Sequence, residues 1–309
     1  MHVLSVGNLN VDLSMYVNTV PSVGGRVEAK FFAKNPGGAA ANFAVALARL
    51  GESSGVLGCV GRDREGHWLI HELASNGVDV SLVAQVDSAT GFVVVIVDEK
   101  GERTMISYRG ANSHLLDVVK NFEKLNVEWV HACSVGPEVA ETVFKSAKVA
   151  GAITSYDPGG SVVKLGFEAL KTALNIVDIL LVNEEEAFIL EKLGGGLNLA
   201  KVSETVPLIV IKMGGKGSKA LKGSTTVKAP AFPTHVVDST GAGDAFNAAF
   251  CFALNKGLEL QEALVFANAC AALKIARIGA QSSPTLDDAI NFLRASGYQF
   301  LAERVRGGI

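Results

Sequence analysis

The sequence predicts an α/β fold in three layers, a mostly parallel sheet between two layers of helices, with a small separate β-sheet inserted as a lid. Three features of the 309 residues point there. Short, almost wholly apolar runs alternate with segments of helical periodicity over most of the length, the pattern of strands covered on both faces. The 33 glycines cluster beside small residues, at Gly37-Gly38, Gly194-Gly195-Gly196, Gly214-Gly215 and Gly241-Ala242-Gly243. Such clusters mark tight turns or backbone that must approach a ligand closely. Two stretches then interrupt the alternation with strand-like runs that have no helix between them.

Residues 4–7 read as the first strand, and 39–50 as an alanine-rich helix stopped by Gly51. Residues 55–60 form a strand, and Arg64–Ser75 a helix closed by Asn76-Gly77. Trp129–Cys133, Ile153–Asp157, 179–182 and 208–211 continue the sheet, each followed by turn or helix signals. Three helices are expected to finish the chain, at 241–254, 260–277 and Leu286–Ala295, and the crossovers should be right-handed. The interruptions are short strands at 11–17 and 27–32, and a hairpin over 91–108. That hairpin has an apolar run at 92–97, the turn Asp98-Glu99-Lys100-Gly101 and a return strand at 104–108. A sheet outside the core, built from discontinuous segments near 11–36 and 90–110, reads as the lid of a single domain spanning 1–309. The run at 92–97 is apolar at every position, so both its faces want cover, whereas a lid shields one; a homodimer packed lid against lid is expected. Arg109 ends the hairpin, expected first as an exposed lid residue and otherwise as one that reaches an acidic substrate.

Composition narrows the function classes. With 49% hydrophobic and 19% charged residues the chain is globular, neither disordered nor fibrous. A net charge of −3 and a pI near 6.1 give no general attraction to nucleic acid or acidic membranes. No apolar run approaches the ~18 residues of a membrane span. The opening residues Val3-Leu4-Ser5-Val6 read as a strand and not as a secretory leader, so a cytoplasmic protein is expected. Cys59, Cys133, Cys251 and Cys270 stand in apolar contexts without CxxC spacing, which favours buried free thiols over disulfides or zinc.

The strongest chemical signal is Val237-Asp238-Ser239-Thr240-Gly241-Ala242-Gly243-Asp244-Ala245-Phe246. Pro230 and Pro233 lie upstream and an apolar helix follows, so the glycines and alanine leave a first helical turn without bulk. Its free N–H groups can face an anion, aided by the helix dipole. A carboxylate at that spot would repel a bound phosphate unless it had a task. Asp244 is placed to accept a hydroxyl proton while the amides hold the charge that develops in phosphoryl transfer. The plainer reading is that Asp244 merely complements the helix dipole.

Other clusters support a ligand site. Asn35-Pro36-Gly37-Gly38-Ala39-Ala40-Ala41-Asn42 is expected to open the first core helix, with bare backbone for close approach and Asn42 offering donor and acceptor. Asn10 and Asp12 fall on one side of an extended segment, where Asn and Asp are depleted unless they bind something. Asn183 and Glu186, after the strand at 179–182, share a helix face and suit Mg²⁺, which needs few protein oxygens; an acid-rich helix start is the bland alternative. Lys212-Met213-Gly214-Gly215-Lys216-Gly217 is no Walker A loop, because glycine follows Lys216 where Ser or Thr is required. Gly215-x-Gly217-x-x-Ala220 fits a loose dinucleotide fingerprint, but 221–227 reads as a hairpin where a helix is needed.

Taken in order, these motifs resemble the ribokinase-like, or PfkB (phosphofructokinase-B), family of carbohydrate kinases over nearly the whole chain. Asn10-x-Asp12 and Gly37-Gly38-x-x-x-Asn42 are similar to its sugar-binding segments, and Gly61-Arg62-Asp63-x-x-Gly66 to another marker. Asn183-x-x-Glu186 is similar to its magnesium and nucleotide motif, and Lys212-x-Gly214-x-x-Gly217 to its nucleotide turn. Asp238-Ser239-Thr240-Gly241-Ala242-Gly243-Asp244 matches the signature, and Gly279-Ala280-Gln281-Ser282-Ser283-Pro284 the loop that closes the cation and nucleotide region.

The resemblance implies a ribokinase-like core, ATP as phosphoryl donor with Mg²⁺, and a small hydroxylated substrate. It makes Asp244 the base and Gly241, Ala242 and Gly243 the anion hole. Asn10, Asp12, Gly37, Gly38 and Asn42 would hold the substrate, and Asn183, Lys212, Gly214, Gly217 and Asn268 the nucleotide. Glu186 would hold Mg²⁺ through water. Asp238 and Ser283, with carbonyls near Thr240 and Gly279, fall where K⁺ sits in many members, so activation by K⁺ is expected. Three departures leave the substrate open. Ala39 and Ala40 stand where ribokinases favour Lys and Gly, 131–135 lacks their glutamate, and Asp157-Pro158-Gly159-Gly160 lacks the Arg of ketodeoxygluconate kinases. A sugar or sugar acid is the first expectation and a nucleoside the second. A non-catalytic sensor and a dinucleotide-dependent oxidoreductase are remote alternatives.

Overall fold

Short apolar strands joined by amphipathic helices account for most of the molecule. The computed structural model describes residues 2–99, 102–121, 126–193 and 199–307. Gly194-Gly195-Gly196 and the turn residues Lys100-Gly101 lie outside the described residues. The chain opens with β1 (Val3–Gly7), β2 (Asn10–Tyr16), β3 (Phe31–Gly37), α1 (Ala39–Arg49), β4 (Ser54–Gly61), α2 (Arg64–Ser75) and β5 (Val83–Val86). Next come β6 (Gly91–Val97), β7 (Arg103–Tyr108), α3 (Leu115–Lys120), β8 (Trp129–Cys133), α4 (Pro137–Val149), β9 (Ile153–Asp157), α5 (Gly159–Val163) and α6 (Phe167–Leu174). Then follow β10 (Ile179–Asn183), α7 (Glu184–Leu193), α8 (Leu199–Thr205), β11 (Leu208–Lys212), β12 (Ser218–Lys222) and β13 (Thr225–Ala229). Four helices end the chain: α9 (Ala242–Asn255), α10 (Leu260–Ile275), α11 (Leu286–Ala295) and α12 (Gln299–Gly307).

The large sheet runs β13-β12-β11-β10-β9-β8-β1-β4-β5, parallel from β11 to β5 and closed at the other edge by the antiparallel β12–β13 hairpin. Its central strands are buried on both faces because helices cover both. In β10, Leu181 packs with Phe43, Phe250 and Phe266 on one side, while Leu180 and Val182 pack with Phe144 and Tyr156 on the other. All four cysteines are free and buried. A separate four-stranded sheet, β3-β2-β6-β7, grows out beyond the carboxyl edge, with β2 and β6 parallel. Among the described residues no helix is long and apolar enough to cross a membrane.

Three expectations change. The second strand of the small sheet is 31–37, not 27–32, so Asn35, Pro36 and Gly37 end a strand and do not open α1. Gly38 alone caps that helix, with φ 97°. A short edge strand, β5, and a fourth closing helix, α12, join the expected set; α12 buries Leu301, Ala302 and Val305.

The Gly61-Arg62-Asp63-x-x-Gly66 marker has a local physical role. Asp63 caps α2 by accepting the Gly66 N–H at 2.7 Å, and its other oxygen accepts the Thr90 N–H at 2.7 Å. That pins the helix start to the segment entering β6.

Candidate active site

The carboxyl ends of the parallel strands deliver the polar residues, as expected of an open α/β sheet. Asn8 follows β1, Ser134 follows β8, and Asp157, Asn183 and Lys212 end β9, β10 and β11. Across from them stands the N-terminus of α9. Gly241 takes φ 76°, and a Cβ there would lie 2.5 Å from the Ala280 carbonyl oxygen, so the turn demands glycine. Ala242 spends its N–H on the Ser239 carbonyl at 3.2 Å. The bare first turn is otherwise as expected, and Asp244 stands in it.

Asp244 meets the residues from the small sheet and α1. Asn42 Nδ2 donates to Asp244 Oδ2 at 2.8 Å, across 202 residues of sequence. Burial raises the Asp244 carboxyl to about 6; the negative Asp157 adds to this, and the Asn42 hydrogen bond opposes it. Asp12 is pushed up to about 7, by burial first and by the charge of Asp244 second. Gly37 makes room for it, since a Cβ there would fall 2.1 Å from Asp12 Oδ2. Asn42 Oδ1 and Asn8 Oδ1 are buried acceptors without a partner, ready for a ligand's hydroxyl groups. Asn10 is less free: its Oδ1 accepts from Asn112 Nδ2 at 2.8 Å.

A second charged group lies behind the helix start. Lys212 Nζ donates to Asp157 Oδ2 at 2.6 Å and to Asn247 Oδ1 at 3.2 Å, while Asn247 Nδ2 also donates to Asp157 at 2.6 Å. Burial alone would raise Asp157, but the Lys212 ammonium outweighs it and holds the carboxyl below the usual range. The ammonium lies 3.5 Å from where a Cβ on Gly243 would be, so it adds positive charge to the first turn of α9. His131, stacked on Phe43 in the core beneath, is driven down to about 3 by burial and stays neutral.

On the other flank, Asn183 and Glu186 cap each other. The Asn183 N–H donates to Glu186 Oε2, and the Glu186 N–H to Asn183 Oδ1, both at 2.8 Å. Burial, followed by the charge of Asp157, raises the Glu186 carboxyl. Among the described residues no hydrogen bond reaches its Oε1, which faces Gly160, whose Cβ would lie 3.9 Å away. A fixed carboxylate with one free oxygen fits an Mg²⁺ held chiefly by phosphates and water. Gly214–Lys216 forms a 3₁₀ turn after β11, and Gly217 (φ 93°) passes so close to Ala229 that its Cβ would sit 2.1 Å from that carbonyl oxygen. Asn268 uses its amide to hold the Ala229 and Pro230 carbonyls at 3.3 and 3.0 Å.

With that geometry in hand, comparison with known proteins is decisive. Residues 1–287 match the model of the pfkB family of carbohydrate kinases. The chain belongs to that family. An ATP-dependent ribose-1-phosphate kinase of Halopiger xanaduensis is 32% identical over 95% of this chain and 98% of its own length. Bacillus subtilis ribokinase is 31% identical over 92% and 96%. Among solved structures, the Methanocaldococcus jannaschii nucleoside kinase has TM-score 0.87 and 26% identity, covering 96% of this chain and 99% of that one. As a pfkB kinase the protein is an ATP-dependent phosphotransferase with an alcohol acceptor.

The loop expected to hold K⁺ in this kinase is built differently. Asp238 Oδ1 accepts from the Thr240 N–H and hydroxyl at 2.9 and 2.7 Å, and Oδ2 from the Gly279 N–H at 2.9 Å. Arg103, from β7 of the small sheet, reaches Asp238 Oδ1 at 3.0 Å and Thr240 Oγ1 at 2.9 Å. Lys274 Nζ, wholly buried in α10, donates to the Asp238 carbonyl at 2.8 Å. Burial pulls the Lys274 pKa down, against the attraction of Asp238. The carboxylate and the carbonyl of Asp238, the residue expected to lead a K⁺ site, are thus already held by Arg103 and Lys274.

Several residues of the site escaped the sequence reading. Asp157 is a charge at the end of an apolar strand, and Lys274 the lone cation in the apolar stretch 263–275; either oddity could have been noticed. Asn8, Asn247 and Arg103 carry no such signal, because only the fold brings them to the site.

Proposed function

We propose that this pfkB kinase transfers the γ-phosphoryl group of Mg·ATP to a hydroxyl of a small sugar or sugar acid, with Asp244 as the base. The observation that carries the reading is the Asn42–Asp244 hydrogen bond. It joins the polar residues at the root of the small sheet to the anion-binding helix start, where an acceptor hydroxyl and a phosphoryl group must meet. Asp12 and Asn42 bind substrate hydroxyls, with Asn8 as a further acceptor, and Asn10 steadies the strand through Asn112. Asp244, raised to about 6, is ionised at neutral pH yet a stronger base than an ordinary Asp, and takes the hydroxyl proton as the new O–P bond forms. The amides of Gly241 and Gly243 and the Lys212 ammonium stabilise charge on the transferred group. Glu186, set by Asn183, orients water on Mg²⁺, which when bound neutralises the phosphates. The turn at Gly214–Lys216, Gly217 and the segment held by Asn268 cradle the nucleotide.

The small sheet acts as a lid within a single domain, and two subunits pair through their lids. A nucleoside is the second reading, supported by the TM-score of 0.87 to an archaeal nucleoside kinase. The test is a coupled ADP-release assay with Mg·ATP over ribose, fructose, ketodeoxygluconate, ribose 1-phosphate and nucleosides. A kcat/KM at least tenfold higher for one sugar or sugar acid is expected. A preference for nucleosides would install the second reading, and no turnover on any hydroxyl compound would sink both.

A further inference from the structure

A fold family that commonly places K⁺ beside its signature loop meets, in this chain, a loop where two side-chain cations already contact Asp238. The Asp238 carboxylate accepts from Thr240, Gly279 and Arg103, and the Asp238 carbonyl from Lys274. The Gly279 carbonyl accepts the Ser282 hydroxyl at 2.7 Å. The Ser283 carbonyl accepts Arg49 Nε at 2.5 Å. Each of these oxygens already accepts a hydrogen bond, and two side-chain cations, Arg103 and Lys274, already stand at Asp238. A third positive charge would be repelled in a partly buried setting where screening is weak.

Lys274 is the unusual member. It sits at zero exposure on a helix whose neighbouring buried positions are Ala267, Asn268, Ala269, Cys270 and Ala272. A lysine is almost never fully buried without a partner, and here the partner is a backbone carbonyl of the loop that leads into Gly241 and Asp244. An ammonium is a monovalent cation similar in size to K⁺, and it binds carbonyl oxygens in the same way.

We infer that the Lys274 ammonium is this kinase's built-in monovalent cation, a positioning residue that fixes the loop 238–241 and so makes the enzyme independent of K⁺. Arg103 completes the arrangement from the lid side by bridging Asp238 and Thr240. The inference rests on the kinase reading for its rate measurements, but not for its structural one.

Two measurements on the unaltered protein come first. Crystals grown in rubidium chloride should show no anomalous peak among Asp238, Thr240, Gly279 and Ser283, and turnover in potassium and sodium salts of equal ionic strength should agree within twofold. A rubidium ion in that loop overturns the inference even if the substrate is misassigned, and so does severalfold activation by K⁺. The variant Lys274→Met keeps the packing and removes the charge. Folded K274M should lose roughly tenfold or more in kcat/KM for ATP in sodium buffer. It should also gain a selective activation by K⁺ or NH₄⁺ over Na⁺ that the parent lacks. A folded variant that is equally slow in every salt makes Lys274 merely structural and defeats the proposal, as does one that turns over normally in sodium. Should K274M fail to fold, the rubidium and salt comparisons still decide.

Discussion

At the scale of single residues, the environment of Asp244 separates catalysis from helix-dipole complementation. Asp244→Asn preserves the shape and the contact with Asn42 but cannot take a proton. It should cost ~10²–10⁴ in kcat while both ligands still bind. Mere dipole complementation predicts near-normal turnover with about 0.3–1 kcal/mol of lost stability. Turnover within tenfold of the parent, in a folded variant that binds substrate and Mg·ATP, would falsify the assignment. The same carboxyl sets the acid limb of the parent's pH profile. Asp12 and Asp244 repel each other and titrate as a pair between about 6 and about 7, so kcat/KM should rise through that range and level above it. Asp12 carries a stability cost as well. Its raised folded-state pKa means the native chain retains a proton that the unfolded chain releases above 3.8. Its contribution is therefore full below that value and is lost as pH rises through about 7. Asp12→Asn should melt higher than the parent at pH 8, by ~2 °C for each kcal/mol recovered, and equally at pH 4, while failing to bind substrate. A lower melting temperature at pH 8 would contradict the burial of an ionisable Asp12.

At the scale of elements, the sequence made the sheet legible wherever strands are buried on both faces, as in β1, β8, β9, β10 and β11, because continuous apolar runs admit few alternatives. It was least legible in the small sheet. β3 reads FFAKNPG, with a lysine, an asparagine and a proline that argue against a strand. Pairing with β2 decides it instead, since Asp12 lies opposite Asn35, and Asn10 opposite Gly37. The site was legible where one helix start carries it, as at 241–244, and hidden where residues from separate elements converge, as Asp157 and Asn247 do on Lys212. The β3 end also yields a test. A Cβ on Gly37 would fall 2.1–2.5 Å from all three carboxyl atoms of Asp12, and relief requires that side chain to swing away. Gly37→Ala should therefore raise KM for the hydroxyl substrate tenfold or more while the KM for ATP stays within twofold. Equal losses for both substrates would mean that β3 itself is disturbed.

At the scale of the whole molecule, the small sheet is where large apolar side chains stand exposed together. Strand pairing puts Val93 and Val95 on the face with Asp12 and Arg103, towards the site, and Phe92, Val94 and Ile96 on the opposite face. The latter face packs on the core at its root, through Leu13 and Phe92. Further out, Phe32 and Ile106 stand 53% and 61% exposed on it, with Met105 and Phe31 at 64% and 60% on the other. A hollow of about 360 Å³ lined by Met15, Val17, Pro21, Val27 and Ile96 lies near the tip, away from Asp244. Monomers rarely keep apolar side chains of this size together in water, and a second copy of the same sheet would supply matching cover by two-fold symmetry. Light scattering at micromolar concentration should give twice the 32.3 kDa chain mass. Ile106→Glu should shift the equilibrium to monomer at least tenfold, because each interface would bury two unpaired carboxylates, one from each subunit. The monomer should remain folded, since Ile106 touches no core cluster, and its KM for the hydroxyl substrate should rise as the lid loses its support. A parent protein that is monomeric at micromolar concentration, or an Ile106→Glu variant that dimerises as tightly as the parent, rules out pairing through the lids.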